Sequence, residues 1–162
     1  MLLVRDRSAV LPASTERYPA RRSADMRQLE CGGRSLDLSR PCVMGVLNVT
    51  PDSFSDGGDF FAPAAAVLRA ERMADEGADI VDIGGESTRP GAPPVDADGE
   101  IARVIPVIKA VAGRVSLPIS VDTSKPEVIR AAVAAGAGLI NDVRALRLPG
   151  ALEAARDAGV RR

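Results

Sequence analysis

The sequence predicts an α/β protein built around a parallel sheet, and three observations support this fold class. Short runs rich in β-branched residues alternate with longer alanine-rich segments from Pro41 onward. The alternation repeats four times, and consecutive parallel strands need helical connections of this kind. The composition, with 46% hydrophobic and 27% charged residues and a formal net charge of −1, is that of a globular protein.

The first 25 residues differ from the rest of the chain. Residues 1–25 are rich in Arg, Ser, Ala and Pro and show no strand or helix period, so we expect a disordered extension. Charged residues interrupt its apolar opening, which argues against a secretory signal. Two short extended runs around the pair Gly32-Gly33 then predict a β-hairpin ahead of the main fold. The predicted domain covers residues 26–162.

Four strand–helix units follow the predicted hairpin. The predicted strands are short apolar runs at Val43–Leu47, Ile80–Ile83, Pro118–Val121 and Leu139–Ile140. The predicted helices are the alanine-rich segments at about Pro63–Glu76, Asp98–Ala112, Pro126–Ala135 and Gly150–Ala158.

Local signals for helix starts and stops agree with this pattern. Ser124 and Glu127 have the spacing of a capping box at the start of the third helix, and Gly77 and Gly136 stand where the first and third helices would end. Pro106 lies within the apolar stripe of the second helix, so we expect it to kink or split that helix.

Composition narrows the possible functions. No run approaches the roughly 18 apolar residues that a membrane-spanning helix needs. A pI of about 5.5 and only 2% aromatic residues argue against a nucleic-acid partner. With no histidine and only Cys31 and Cys42, the chain cannot supply a Ser-His-Asp or Cys-His centre, a zinc site or a disulfide framework. We therefore expect a cytoplasmic protein that acts on small molecules.

Polar loops follow each predicted strand at its carboxyl end. Ligands bind at this edge in parallel α/β folds. Any single Asp or Ser in such a loop is also explained by turns and helix caps. Together, the carboxylates, the amides and one Arg suit binding of a polar heterocycle, an anion or Mg²⁺. The four loops are Asn48–Ser53, Gly84–Arg89, Asp122–Lys125 and Asn141–Asp142.

Three long motifs resemble those of the dihydropteroate synthase family. They are VMGVLNVTPDSFSDGG at Val43–Gly58, DIVDIGGESTRPGA at Asp79–Ala92, and ISVDTSKPEVIRAAVAAGAGLINDVRAL at Ile119–Leu146. The resemblance implies a (β/α)8 TIM barrel, of which this chain would form about the first four β/α units after the short hairpin. It also implies a transferase of folate biosynthesis, in which p-aminobenzoate displaces diphosphate from 6-hydroxymethyl-7,8-dihydropterin diphosphate.

The resemblance further implies roles in catalysis and metal binding. Asn48 would bind Mg²⁺ through its side-chain oxygen, a hard donor that this cation prefers. Asp56 would lie near the cation that develops as diphosphate leaves, where a negative charge lowers the barrier. Arg89 would bind an anion through its fork of donors and assist the reaction.

The same resemblance implies a set of substrate-binding residues. Thr88, Arg89 and Pro90 would help to form the region for p-aminobenzoate and diphosphate, and Phe54 would cover the substrate. Asp122 and Asn141 would hydrogen-bond the pterin ring, with Val143 as an apolar neighbour.

The length of the chain predicts how much of the barrel it forms. A (β/α)8 barrel typically needs about 250 residues, so 162 residues correspond to the N-terminal half of one. We therefore expect the first and fourth strands to be unpaired at the edges of the sheet. We also expect little or no turnover by this chain alone. The full-length parent is expected to be a homodimer without nucleic-acid or membrane partners. The alternative is a pterin-binding module without synthase activity, either of the methyltransferase type or a defunct half-protein.

Overall fold

The computed structural model describes residues 2–5, 27–50, 61–87 and 91–161. Its strands are β1 (Leu2–Arg5), β2 (Gln28–Glu30), β3 (Ser35–Asp37), β4 (Met44–Asn48), β5 (Ile80–Gly84), β6 (Ile119–Asp122), β7 (Leu139–Asn141) and β8 (Val160–Arg161). Its helices are α1 (Phe61–Asp75), α2 (Ala97–Ala112), α3 (Pro126–Ala135) and α4 (Ala151–Asp157). In these ranges no helix has the length and apolar character needed to cross a membrane.

The main sheet confirms the predicted fold class. Its strand order is β4-β5-β6-β7-β1-β8, and β4 to β7 are parallel neighbours joined by helices. The predicted strand and helix positions agree with the observed ones to within a few residues. Four β/α units therefore follow one another along the chain, as expected for part of a barrel.

The fourth parallel strand is not an open edge, so that expectation was wrong. Strand β1 pairs with β7 in antiparallel orientation, with Leu2 opposite Asn141 and Val4 opposite Leu139. The reason is that an edge strand presents unpaired N–H and C=O groups, which the apolar run at the chain start can satisfy. The expected disorder therefore does not extend to residues 2–5, and residues 6–26 lie outside the described ranges.

One face of the sheet packs against the four helices and forms the larger core. Side chains from alternate strand positions, including Leu47, Ile83 and Val121, are buried there with Val104 and Ile129 of the helices. The helix-facing side chains of each parallel strand are apolar, which explains why the strands were visible in the sequence.

The other face is covered at its amino-terminal end by the hairpin of β2 and β3, which confirms the predicted hairpin. Cys31 and Leu36 of the hairpin pack there on Ile80 and Leu139. Burial raises the pKa of the Cys31 thiol to about 12, so this cysteine is a packing residue. Farther along the same face none of the described elements covers the sheet, and Val46 is 56% exposed.

The structure tests three of the local expectations. Pro106 does not split α2, which runs from Ala97 to Ala112 with buried side chains on both sides of the proline; a kink at this residue stays a prediction. Ser124 does not cap α3: its hydroxyl donates to Asp142, and Lys125 occupies the N-cap position without a side-chain cap. The predicted stop is confirmed, since Gly136 ends α3 with φ of 123°.

Candidate active site

Three of the predicted site residues lie in one row across the sheet. Asn48, Gly84, Asp122 and Asn141 are paired in register at the carboxyl ends of β4 to β7. Residues in register on neighbouring strands point to the same face, so the three polar side chains share the face away from the helices.

Gly84 leaves space between two of these side chains. A Cβ atom at this position would lie 3.6 Å from Oδ1 of Asn48 and 3.7 Å from Oδ2 of Asp122. Both oxygens thus border the same small volume, which a larger residue at Gly84 would fill. Oxygen donors around a space of this kind can bind a cation or the polar edge of a ring.

A buried carboxylate lies one layer deeper on the same face. Asp82 of β5 is 2% exposed, and its Oδ2 accepts a hydrogen bond of 3.0 Å from Nδ2 of Asn141. Its Oδ1 has no hydrogen-bond partner within the described ranges. Asp82 was not predicted as a site residue from the sequence, where the available signal was a charged residue inside an otherwise apolar strand.

Asp122 has an unusually high pKa. Burial is the largest cause, and the negative charges of Asp82, Glu100, Asp142 and Glu86 add to it, so the pKa rises to about 6. The carboxylate of Asp122 is therefore crowded by other acids. A ligand that brings hydrogen-bond donors or positive charge would stabilise the ionised form of Asp122.

A cavity of about 460 Å³ lies beside Asp122, over the carboxyl ends of the strands. This volume is within the range of small-molecule sites. Acidic, basic and apolar groups line it, among them Glu86, Glu100, Asp122, Lys125, Val143 and Arg144.

Lys125 joins three separate elements at the wall of this cavity. Its Nζ donates to Glu86, which follows β5, and to Glu100 of α2, which is 1% exposed. Burial works to lower the pKa of Lys125, but the hydrogen bonds to Glu100 and Glu86 outweigh it, and the pKa is raised. Lys125 is therefore a fixed positive charge that ties Glu86 to α2.

Asp142 organises the loop after β7. Its buried carboxylate accepts hydrogen bonds from the backbone N–H groups of Arg144 (2.8 Å) and Leu146 (2.7 Å) and from the hydroxyl of Ser124. Ala145 and Leu146 have positive φ values of 53° and 58°, which non-glycine residues rarely adopt. Asp142 thus holds a strained turn that places Val143 and Arg144 at the cavity.

The predicted site residues divide into two groups. Asn48, Asp122 and Asn141 come together in the row, and Val143 lines the cavity with 68% of its surface exposed. The others lie outside the described residues, namely Phe54, Asp56, Thr88, Arg89 and Pro90. Sequence reasoning did not assign roles to Asp82, Glu86, Glu100, Lys125 or Asp142.

Comparison with known proteins identifies a family. Residues 44–162 match the sequence model described as pterin binding enzyme. The Escherichia coli K12 dihydropteroate synthase is 59% identical over 128 residues, which are 79% of this chain and 45% of that protein. The Haemophilus influenzae dihydropteroate synthase is 53% identical over 128 residues, covering 79% and 46% respectively.

Solved structures agree with these relatives. The Xanthomonas albilineans dihydropteroate synthase with 4-aminobenzoic acid superposes with a TM-score of 0.77 at 62% identity, covering 81% of this chain and 49% of that one. The Burkholderia cenocepacia enzyme complexed with 7,8-dihydropteroate gives 0.69 at 55% identity, covering 80% and 42%. The chain thus spans about half the length of the relatives it matches.

Proposed function

Because this chain belongs to the pterin binding enzyme family, we propose that it carries the dihydropterin-binding half of a dihydropteroate synthase active site. The reaction is condensation of 6-hydroxymethyl-7,8-dihydropterin diphosphate with p-aminobenzoate, which gives dihydropteroate and diphosphate. The observation that carries the proposal is the in-register row of Asn48, Asp122 and Asn141, of which Asp122 also lines a cavity of suitable size.

The pterin ring is held by two side chains of opposite character. The carboxylate of Asp122 accepts from ring N–H and amino groups, and the amide of Asn141 both donates and accepts. Both lie on strand ends, which hold them more rigidly than loops would. Val143, on the turn held by Asp142, supplies an apolar surface at the mouth of the cavity.

Asn48 is the group that fits Mg²⁺. Its Oδ1 borders the open space at Gly84, and the described residues contain no cluster of three acidic, histidine or cysteine side chains placed to bind a metal. One amide oxygen suits a Mg²⁺ ion that keeps its waters and is shared with substrate phosphates. When bound, Mg²⁺ neutralises the negative charge of the leaving diphosphate.

The loops beside the site complete the proposal. Asp56 stabilises the positive charge that develops on the pterin methylene carbon, and Phe54 covers the substrate. Thr88, Arg89 and Pro90 form the region for p-aminobenzoate and diphosphate, with Arg89 binding the anion. Support comes from Glu86, which directly precedes Ser87 and is fixed by Lys125 at the start of that loop. The full protein acts in the cytoplasm as a homodimer on small molecules, without nucleic acid or membrane.

Binding by the 162-residue chain tests the proposal. We expect isothermal titration to detect 6-hydroxymethyl-7,8-dihydropterin diphosphate in the presence of Mg²⁺, and Asp122→Asn to weaken binding at least tenfold at pH 8. Asp79→Asn is the matched control, since Asp79 is a carboxylate at the opposite end of β5 paired with Arg40. Absence of binding, or equal binding by both variants, would contradict the proposal.

An activity assay separates the synthase from a pterin-binding module. The chain alone should form little or no dihydropteroate, because it spans about half the length of its relatives. If p-aminobenzoate changes the affinity for the pterin diphosphate, the synthase assignment is supported. If the pterin binds and p-aminobenzoate has no effect at any concentration, the module without synthase activity is the better assignment.

A further inference from the structure

The hydrogen bond between Asp82 and Asn141 crosses an intervening strand. Asp82 is on β5 and Asn141 on β7, with β6 between them. Strands two positions apart are separated by roughly 9 to 10 Å, so both side chains must reach over β6 to meet. The residue of β6 in register with Asp82 is Ser120, whose small side chain leaves room for this contact.

A carboxylate in this place determines which way the Asn141 amide faces. An ionised carboxylate accepts hydrogen bonds and donates none, so only the Nδ2 end of the Asn141 amide can face Asp82. The Oδ1 end is then left for a ligand. An asparagine at position 82 would accept either end of the Asn141 amide, and the preference would be lost.

We propose that Asp82 is a positioning residue for the pterin site, which fixes the Asn141 amide so that its Oδ1 receives an N–H donor from the ring. This inference rests on the proposed function for the identity of the ligand. The orientation itself is a property of the ligand-free chain. The fixed orientation gives specificity. A ring with a hydrogen-bond acceptor at that point would face the Asn141 oxygen, which is also an acceptor, and no hydrogen bond could form.

The surroundings of Asp82 indicate a role beyond stability. Its Oδ1 is buried without a hydrogen-bond partner in the described part of the chain. Buried polar groups in native proteins are normally paired, and those that are not often mark functional sites. If these two positions served only packing, apolar residues could stand in place of Asp82 and Asn141.

Nuclear magnetic resonance of the ligand-free 162-residue chain tests the orientation directly. Asn48 and Asn141 are the only asparagines and Gln28 is the only glutamine, so a ¹⁵N spectrum contains three side-chain NH₂ pairs. We expect the two Asn141 protons to be well separated and protected from solvent exchange. In Asp82→Asn the separation should narrow and the protection should fall, while the signals of Gln28 remain unchanged.

Binding of 6-hydroxymethylpterin tests the consequence for a ligand. At pH 8 Asp122 is ionised in the wild type. The charge of Asp82 raises the pKa of Asp122, so Asp122 also stays ionised when that charge is removed. Under these conditions we expect Asp82→Asn to weaken binding about tenfold through loss of the fixed amide. Ser120→Ala is the matched control, because it alters an equally buried polar side chain in register with Asp82 and should leave binding unchanged.

The outcomes separate this inference from the proposed function. Degenerate or rapidly exchanging Asn141 protons in the wild type would overturn the positioning role, and this result does not depend on whether any variant folds. Equal binding by the wild type and Asp82→Asn would also overturn it. If the wild type shows the protected amide but binds no pterin, the proposed ligand is wrong while the orientation stands.

Discussion

Asp122 should lower the stability of the ligand-free fold. Its pKa is about 6, compared with an ordinary value of 3.8, and each unit corresponds to about 1.4 kcal/mol. The full difference would be roughly 3 kcal/mol, which partial exposure of the side chain reduces to about 1 to 2 kcal/mol by solvent screening. We therefore expect Asp122→Asn to raise the free energy of unfolding at pH 8 by about 1 to 2 kcal/mol.

The pH dependence of this gain identifies its cause. The pKa is raised in the folded state, so the folded chain binds the proton more tightly than the unfolded chain. The destabilisation by Asp122 is then absent below about pH 3.8, grows between pH 3.8 and 6, and is complete above pH 6. The gain from Asp122→Asn should accordingly fall to roughly half at pH 5.

Urea unfolding followed by circular dichroism at pH 8 and pH 5 measures both quantities. Asp79→Asn serves again as the control. Hydrogen bonding to Arg40, followed by that to the backbone N–H of Val43, lowers the pKa of Asp79, so this substitution should not stabilise the fold. A loss of stability in Asp122→Asn at pH 8, or an equal gain at both pH values, would refute the reasoning.

Three further substitutions probe the surroundings of the site, each by urea unfolding. Lys125→Met leaves the buried Glu100 without its partner and should lower the free energy of unfolding by roughly 3 kcal/mol. The control is Lys109→Met at the only other lysine, which is exposed, and it should have little effect. Gly138→Ala should destabilise the fold by more than 2 kcal/mol, because its Cβ would lie 2.3 Å from the backbone oxygen of Cys31. Asp142→Ala removes three hydrogen bonds and should lower the free energy of unfolding by about 3 kcal/mol. It should also weaken pterin binding. Unchanged stability would contradict the role of Asp142 in the strained turn.

The parts of the fold that the sequence could predict depend on local regularity. The four β/α units were visible because their strands contain short apolar runs and their helices have clear stop residues such as Gly136. Strand β1 was missed because its pairing with β7 joins residues more than 130 positions apart. The role of Ser124 was misassigned for a similar reason, since its partner Asp142 is 18 residues away.

The candidate site shows the same division. Asn48, Asp122 and Asn141 could be placed together from the rule that ligands bind at the carboxyl ends of parallel strands. Asp82 could not, because its importance lies in a contact across β6 that depends on register. Lys125 was equally hidden, since nothing in the local sequence indicates that it meets both Glu86 and Glu100.

The charge balance around the site has a physical meaning for ligand binding. Burial raises the pKa of Asp122, and four acidic side chains raise it further, namely Asp82, Glu100, Asp142 and Glu86; Lys125 neutralises only part of this negative charge. A structure selected for stability alone would not gather these groups. The proposed dihydropterin ligand would bring several N–H donors and Mg²⁺ would bring positive charge, so we expect binding to relieve the repulsion in the free state. On the proposed function, binding should then recover part of the stability lost through the acids, which would couple ligand affinity to fold stability through the same carboxylates.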